Sequence, residues 1–351
     1  GCRMVRFWAA FVWRRLLIRT TFIAITGSVG KTTAKECLAA ILSQRQPTAK
    51  NFSNQNDQWG VPRTVLRVRP WHRFAVIEIS GGTPGLVRKL GRLVRPDMAV
   101  ILAVKQVHRK ALPTLEAVAA EKASLLSALR PGGIAVLNAG DPLVASMPAP
   151  PGVAVRLFGG PSACRASDVS SQWPARLRFR LNVEGRSERL QTKLVGSQWI
   201  PSLLGAISAA IACGADLPAI LTGVENLEPL TGRMQPVYLP SGAVMIRDEK
   251  DGQLPTLEAA ADVLRTAQAG RRVLIVSDFS DTPKNHRDRM RHLGKLAARS
   301  ADLAIFIDAG GQDAARAAVQ RGMRPENVHC FVDLRRAAEF VRHELGPGDL
   351  A

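Results

Sequence analysis

Tyrosine is nearly missing from this chain, with one in 351 residues, and aromatic residues make up only 5%. Proteins that grip single-stranded nucleic acid stack bases on aromatic side chains along a basic groove. No stripe interleaving the two recurs along the chain. Acidic residues are also few, 29 against 48 Lys and Arg, leaving a net charge of +19. That balance favours anionic partners. With the arginines spread along the chain, small anions are favoured and nucleic acid is not. The five cysteines (Cys2, Cys37, Cys164, Cys213, Cys330) form no Cys-x-x-Cys pair. Neither a zinc site nor a disulfide framework is indicated, and a reducing cytoplasm is the default. Internal repeats and low-complexity tracts are absent. The remaining composition, 46% hydrophobic and 22% charged, is that of a globular protein long enough for two domains.

Residues 1–20 form a segment of their own. Phe7, Trp8, Phe11, Val12, Leu16 and Leu17 alternate with Arg6, Arg14, Arg15 and Arg19 at helical spacing. The apolar part, Phe7 to Trp13, is too short to cross a bilayer, and no small-residue cleavage site follows it. Two readings of this basic amphipathic helix stand side by side. Residues 3–19 lie on anionic lipid, which would bring a cytoplasmic protein to the inner membrane surface, or the helix packs on the domain that follows. A further native segment before residue 1 is expected.

Residues 22–36 read FIAITGSVGKTTAKE. An apolar strand runs into a glycine-bounded loop, and a helix opens at Lys31. This is a nucleotide-triphosphate cradle, shortened to two residues, Ser28 and Val29, between Gly27 and Gly30. The amides of Gly27, Ser28, Val29, Gly30 and Thr33 face the phosphates. Lys31 reaches the terminal phosphates, and the Thr32 hydroxyl is placed for Mg²⁺. Strands then alternate with helices: strands at 74–79, 98–104 and 133–138, helices at 84–93 and 115–129. That pattern predicts a parallel sheet wrapped by helices. Residues 177–183 alternate strictly and end on Glu184-Gly185, which predicts a hairpin in a small antiparallel sheet. After a helix at 203–213 and a linker at 229–233, strand–helix alternation restarts. The expected fold class is α/β, a P-loop parallel-sheet domain with a small antiparallel subsheet, followed by a second Rossmann-like α/β domain.

Seven motifs occur in order: TGSVGKTT with KE (26–36), NFSNQNDQWGVP (51–62), AVIEI (75–79), VKQVHR with LEAVAAEK (104–122), AVLNAGDP (135–142), LTGRM (230–234) and GPGDL (346–350). In this series the chain resembles the Mur ligases, the ATP-dependent amide ligases of peptidoglycan stem peptides. Among them it is most similar to the D-alanyl-D-alanine-adding branch. The resemblance covers nearly all of residues 21–350. It implies a central ATP-binding domain at 21–229 and a C-terminal domain at 230–351 that ends early. The family's N-terminal UDP-binding domain has no counterpart, so a partner subunit could replace it.

The resemblance also implies roles. The family phosphorylates a carboxylate with ATP, and an amine attacks the acyl phosphate. Lys31 would hold the ATP phosphates, and Thr32 and Glu78 would bind the first Mg²⁺. His108 would bind the second Mg²⁺, and Lys122 matches a carbamylated lysine that supports it. Asn138 and Asp141 match positions near the base and ribose. Arg233 matches an arginine that meets ATP from the second domain. Asp248 and Lys250 belong to a segment that joins the site on closure. On residue type alone, several of these read otherwise. Lys122 on an Ala/Leu helix reads as a solvated face, and Trp59 as a core aromatic.

Two segments depart from the family. GSQWIPS (196–202) stands where the family has Gly-x-His-Asn-x-x-Asn, so Gln198, Trp199 and Ser202 replace nucleotide-holding residues. DEKDGQLP (248–255) replaces Asp-Ser-Tyr-Asn-Ala-Asn-Pro. Two functions stay open: an ATP-dependent acid–amine ligase acting on small-molecule carboxylate and amine substrates, or a non-catalytic nucleotide-binding or scaffold protein.

Overall fold

The computed structural model describes residues 2–250, 252–279 and 285–351; Asp251 of the 248–255 segment lies outside the described residues. Its chain divides into two compact units. The first comprises residues 1–169, 178–192 and 198–227, and the second residues 170–177, 193–197 and 228–351.

In the first unit, α1 (Cys2–Leu16) leads into β1 (Thr21–Thr26), whose last five residues are buried, then α2 (Lys31–Ser43) and β2 (Thr48–Lys50). There follow α3 (Gly60–Arg67), β3 (Phe74–Glu78), α4 (Leu86–Val94), β4 (Met98–Ile101), α5 (Leu115–Ala123) and β5 (Ile134–Asn138). The set is completed by α6 (Pro142–Ala145), β6 (Ala154–Phe158), β7 (Cys164–Ser170), β8 (Arg178–Val183), β9 (Arg186–Gln191), α7 (Ile200–Ala212) and α8 (Leu217–Glu225).

The main sheet is parallel throughout, in the order β2-β3-β1-β4-β5-β6. Its central strands read as nearly continuous apolar runs because helices cover both faces. Phe22, Ile23 and Ile25 of β1 are fully buried, each contributing roughly 1.5–3 kcal/mol of apolar burial. The chain leaves β1 for β2 on one side and later reaches β4 on the other. The loop after β1 therefore sits at a switch in strand order, the place where parallel sheets hold ligands.

The predicted hairpin forms as β8–β9. Its turn places Glu184 at φ 49° and Gly185 at φ 78°, two left-handed residues whose twist matches that of the strands. The predicted helix at 115–129 is shorter as an α-helix, ending at Ala123, and a 3₁₀ turn carries Leu126–Ala128. The expected helix at 203–213 starts earlier, with Pro201 in its first turn, where a missing N–H costs nothing.

The second unit contains β10 (Gln235–Tyr238), β11 (Val244–Arg247), α9 (Leu254–Thr266), β12 (Arg271–Val276), α10 (His286–Ser300), β13 (Leu303–Ile307), α11 (Gly311–Val319), β14 (Val328–Phe331), α12 (Leu334–Glu344) and β15 (Asp349–Leu350). Its sheet has the order β10-β11-β15-β12-β13-β14. It is mixed: β10 pairs antiparallel with β11, and the other pairs are parallel. The strand–helix alternation did not foretell the antiparallel pair, because β10 and β11 are joined by a short turn at 239–243 with no helix. The last strand, β15, lies inside the sheet between β11 and β12. Arg271 of β12 holds it there through Asp349 at 2.7 Å and also meets Glu344 at 2.6 Å.

Candidate functional site

The loop after β1 is shaped by Gly30, the residue before α2, at φ 79°. A side chain there would be strained in two ways. The left-handed backbone disfavours it, and an added Cβ would stand 2.2 Å from Ser202 Oγ. Ser28 fastens the loop to the segment after β4: its N–H donates to Ala103 O (2.8 Å), and its hydroxyl bridges Lys105 O and N at 2.9 Å each. No side chain caps the start of α2, so its first N–H groups and its dipole face the loop. The Lys31 ammonium lies across this mouth, donating to Gly27 O (3.0 Å) and Ser28 O (2.9 Å).

At the second residue of α2, the Thr32 hydroxyl donates to Glu78 Oε1 at 3.1 Å, and Asn56 Nδ2 donates to the same oxygen at 2.6 Å. Glu78 ends β3 and is 1% exposed. Its other oxygen, Oε2, is buried without a hydrogen-bond partner among the described residues. The nearest ion-pair partner of Oε2 is Lys35 Nζ, 3.8 Å away. Lys35 is itself fully buried, donating to Asn51 O (3.1 Å) and Ser53 O (2.7 Å) and pairing with Glu36 (2.9 Å). Asn51 Oδ1 accepts from Glu78 N at 2.6 Å. Lys35 and Asn51 thus fix the strand end that carries Glu78. Both lie inside sequence motifs, and Lys35, three residues after Thr32, shares its helix face, a signal for its place beside Glu78.

The segment after β3 brings two more of the expected residues together. Lys122 Nζ donates to Gly81 O at 3.1 Å, and the His108 ring lies 3.4 Å from where a Cβ on Gly82 would stand. His108 holds φ at 57°, a left-handed conformation rare outside glycine. Lys122 is 1% exposed, so residue type misleads here: this is no solvated face. Burial, with repulsion from Lys31 next and Glu121 opposing, lowers its ammonium to about 7. The Glu121 carboxylate accepts from the Gly85 and Val87 amides at 2.7 and 2.8 Å.

A model of the Mur ligase middle domain matches residues 25–210, and a model of the Mur ligase glutamate ligase domain matches residues 232–351. The chain belongs to the Mur ligase family. The UDP-N-acetylmuramoyl-tripeptide–D-alanyl-D-alanine ligase of Escherichia coli K12 is 29% identical over 303 residues, which is 86% of this chain and 67% of that protein. The namesake enzyme of Haemophilus influenzae is 27% identical over 81% of this chain and 62% of its own length. The chain thus spans about two thirds of these curated relatives. In fold it is similar to MurF from Acinetobacter baumannii (TM-score 0.89, 24% identity, 99% of this chain and 76% of that one). It is also similar in fold to the MurF ligase from Thermotoga maritima, solved in complex with ADP (TM-score 0.85, 16% identity, 100% and 79%).

In this Mur ligase the other expected residues have backbone duties. Asn138 Nδ2 donates to Leu102 O (2.7 Å), and its Oδ1 accepts from Gly140 N (2.9 Å). Asp141 caps α6 through Leu143 N and Val144 N, and accepts from Val104 N at 2.8 Å. Both tie the end of β5 to the segment after β4. In the second unit, Asp248 Oδ1 accepts from Met234 N (3.0 Å), and Lys250 N donates to Gly232 O (3.0 Å). The strands flanking Arg233 and Lys250 are therefore clasped to each other. Trp59 is 41% exposed and not a core aromatic. It precedes α3 in a turn made by Asp57 Oδ1, which accepts from Trp59 N and Gly60 N, and that turn carries the ring outward.

Proposed function

We propose that this Mur ligase is an ATP-dependent, ADP-forming acid–amine ligase working through an acyl phosphate. The observation that carries the proposal is Glu78 Oε2, a buried carboxylate oxygen without a hydrogen bond at the mouth of a phosphate loop. The Lys35 ammonium, 3.8 Å from Oε2, is beyond hydrogen-bond reach and is itself held by Asn51 O, Ser53 O and Glu36, so the oxygen keeps coordinating capacity for a second cation. The Thr32 hydroxyl, bonded to the same carboxylate, adds a hard oxygen donor. Among the described residues no group of three or more His, Cys, Asp or Glu converges on a metal. One carboxylate and one hydroxyl suit Mg²⁺, which is commonly held by few protein ligands together with phosphates. Bound there, Mg²⁺ would supply positive charge that offsets the charge of the phosphates.

The chain's own residues do the rest. Lys31 leaves the Gly27 and Ser28 carbonyls for the terminal phosphates, and the α2 amides bind the remaining oxygens. With the γ-phosphate so neutralised, a substrate carboxylate oxygen attacks phosphorus, ADP leaves, and an amine then displaces phosphate from the acyl carbon. A lysine whose ammonium is lowered to about 7 has roughly half of its population as free amine at neutrality. Lys122 Nζ can therefore add to carbon dioxide and release a proton, forming a carbamate beside His108. These roles, with those of Asn138, Asp141, Arg233, Asp248 and Lys250, rest on the family motif positions.

The acid is proposed to be a peptidoglycan-precursor carboxylate, gripped differently from the UDP-muramyl peptides of the longer relatives or with a partner subunit. The second reading, a non-catalytic nucleotide-binding or scaffold protein, draws on GSQWIPS at 196–202, where Ser202 packs against Gly30. ATP turnover against a panel of acyl carboxylates and amino acids separates the two. The ligase reading expects amine-dependent ADP release that Lys31→Ala abolishes. Nucleotide binding without turnover on any pair would favour the scaffold, and unchanged turnover in Lys31→Ala would sink the proposed site.

A further inference from the structure

Helix α1 packs one face on the first unit and leaves an apolar face outward. Its inward face carries Ala10, the half-buried Trp13 and the buried Arg14. Trp13 Nε1 donates to Val68 O (2.9 Å). Arg14 donates to the Val94 and Arg95 carbonyls (2.6 and 2.8 Å) and meets Asp97. Those bonds to the chain around α3 and α4 settle which side packs. The outward stripe is then Met4, Val5, Trp8, Val12 and Leu16, each between 57% and 68% exposed. It repeats at helical spacing along about 18 Å of helix. Ile18, at 79%, continues it, and Trp71, at 68%, stands in the loop held beside the end of α1 by Thr20 and Arg73. A contiguous apolar patch of this kind marks an interaction surface.

The charge around the patch says what covers it. Helices α1, α3 and α4 contain no acidic residue. Arg19, Arg63, Arg67, Arg69, Arg88 and Arg92 are exposed. Two acids of the adjoining loops are engaged: Asp57 accepts from the Gly60 amide at the start of α3, and Asp97 pairs with Arg14 and Arg130. A second copy of this chain would bring one arginine field against another with nothing to neutralise it. An anionic bilayer meets both needs, taking the apolar stripe among its acyl chains and the guanidinium groups at its headgroups. Trp8 and Trp71 suit the interfacial zone, where tryptophan is enriched. Among the described residues no helix is long and apolar enough to cross a membrane, so the contact is peripheral. We infer that the α1/α3 face docks this Mur ligase in the plane of an anionic membrane. Helix α1 enters the sheet at the start of β1 and the phosphate loop leaves at its end, about 20 Å away, so docking leaves the loop accessible. The inference is independent of the ligase reading.

The test is co-sedimentation of the whole chain with extruded vesicles, either of phosphatidylcholine alone or with about one third phosphatidylglycerol. Binding is expected to anionic vesicles only, and to weaken at high salt. Trp8→Glu with Val12→Glu should abolish it. Arg63→Gln with Arg67→Gln should weaken it by roughly tenfold or more, at about 1 kcal/mol per charge. The second pair changes exposed side chains of α3 and keeps the test valid should the first pair misfold. Absence of pelleting with anionic vesicles would overturn the inference. So would pelleting that survives Trp8→Glu with Val12→Glu in folded protein, since charge alone would then explain it. A concentration-dependent dimer dispersed by those substitutions, with no vesicle binding, would assign the face to a second copy instead.

Discussion

Two lysines show how one buried ammonium can be settled and another left poised. Lys35 is surrounded by Glu36, Glu78 and two carbonyls, so this fully buried side chain has partners on several sides. Lys122 meets the Gly81 carbonyl, while the neighbouring Glu121 carboxylate is spent on backbone amides of the α4 start. Its ammonium therefore falls to about 7 from the ordinary value of 10.5. The folded pKa lies below the unfolded one, so unfolding takes up a proton between those values. Stability should rise with pH through that window, by at most about 1.4 kcal/mol per pH unit from this group. Urea denaturation in bicarbonate-free buffer across pH 7 to about 10 checks it. Lys122→Met should be flatter with pH than the native chain and gain most, relative to it, near neutrality. Equal slopes for the two proteins would mean that Lys122 stays charged in the fold.

At the scale of elements, the phosphate loop is held from outside as much as by its own glycines. Ser28 ties it to the segment after β4, and Ser202 of α7 presses against Gly30. Gly30→Ala should destabilise by about 2–3 kcal/mol, combining left-handed strain of about 1 kcal/mol with the collision at Ser202. Adding Ser202→Ala removes the oxygen 2.2 Å away and leaves the Cβ at 3.5 Å. The double variant should recover the steric part and keep the backbone part. Denaturant midpoints of the two single variants and the double variant give the coupling. Strict additivity would show that the two elements do not meet at this point. The same contact gives Ser202 of the 196–202 segment a packing role at the turn.

Over the whole molecule the +19 charge dominates. Many arginines are paired, such as Arg271 with Glu344 and Asp349, Arg272 with Asp302, and Arg289 with Asp278. With 48 bases to 29 acids the rest repel one another. Screening should relieve that repulsion faster than it weakens the surface pairs, which are worth little each. Tm followed by scanning fluorimetry should rise by roughly a few degrees as NaCl goes from low to about 0.5 M. A Tm that falls with salt would place the ion pairs above the net charge in stabilising the chain.

Much was legible in the order of residues because the signals are local. The apolar run at 22–26, the glycines at 27 and 30 and the Lys-Thr that follows dictate a strand, a tight turn and a helix start wherever they occur. Strict alternation before Glu184-Gly185 likewise dictates a hairpin. The motif series carried the family, and both family models bear that out. Other features depend on what lies across from a residue. Lys122 sits on a helix that reads as solvent-facing until the Gly81 segment closes over its ammonium. Trp59 reads as core until the Asp57 turn carries it outward. Helix α1 left two readings open, since a helical period gives an apolar stripe but not the side that packs. Its Arg14 goes inward because Val94 and Arg95 offer carbonyls there. Strand β15, two residues long, finds its place inside a sheet only through neighbours more than 70 residues earlier. Local propensity comes from a residue and its near neighbours in the chain, whereas burial, pairing and the direction of a face belong to contacts that form only when distant segments meet.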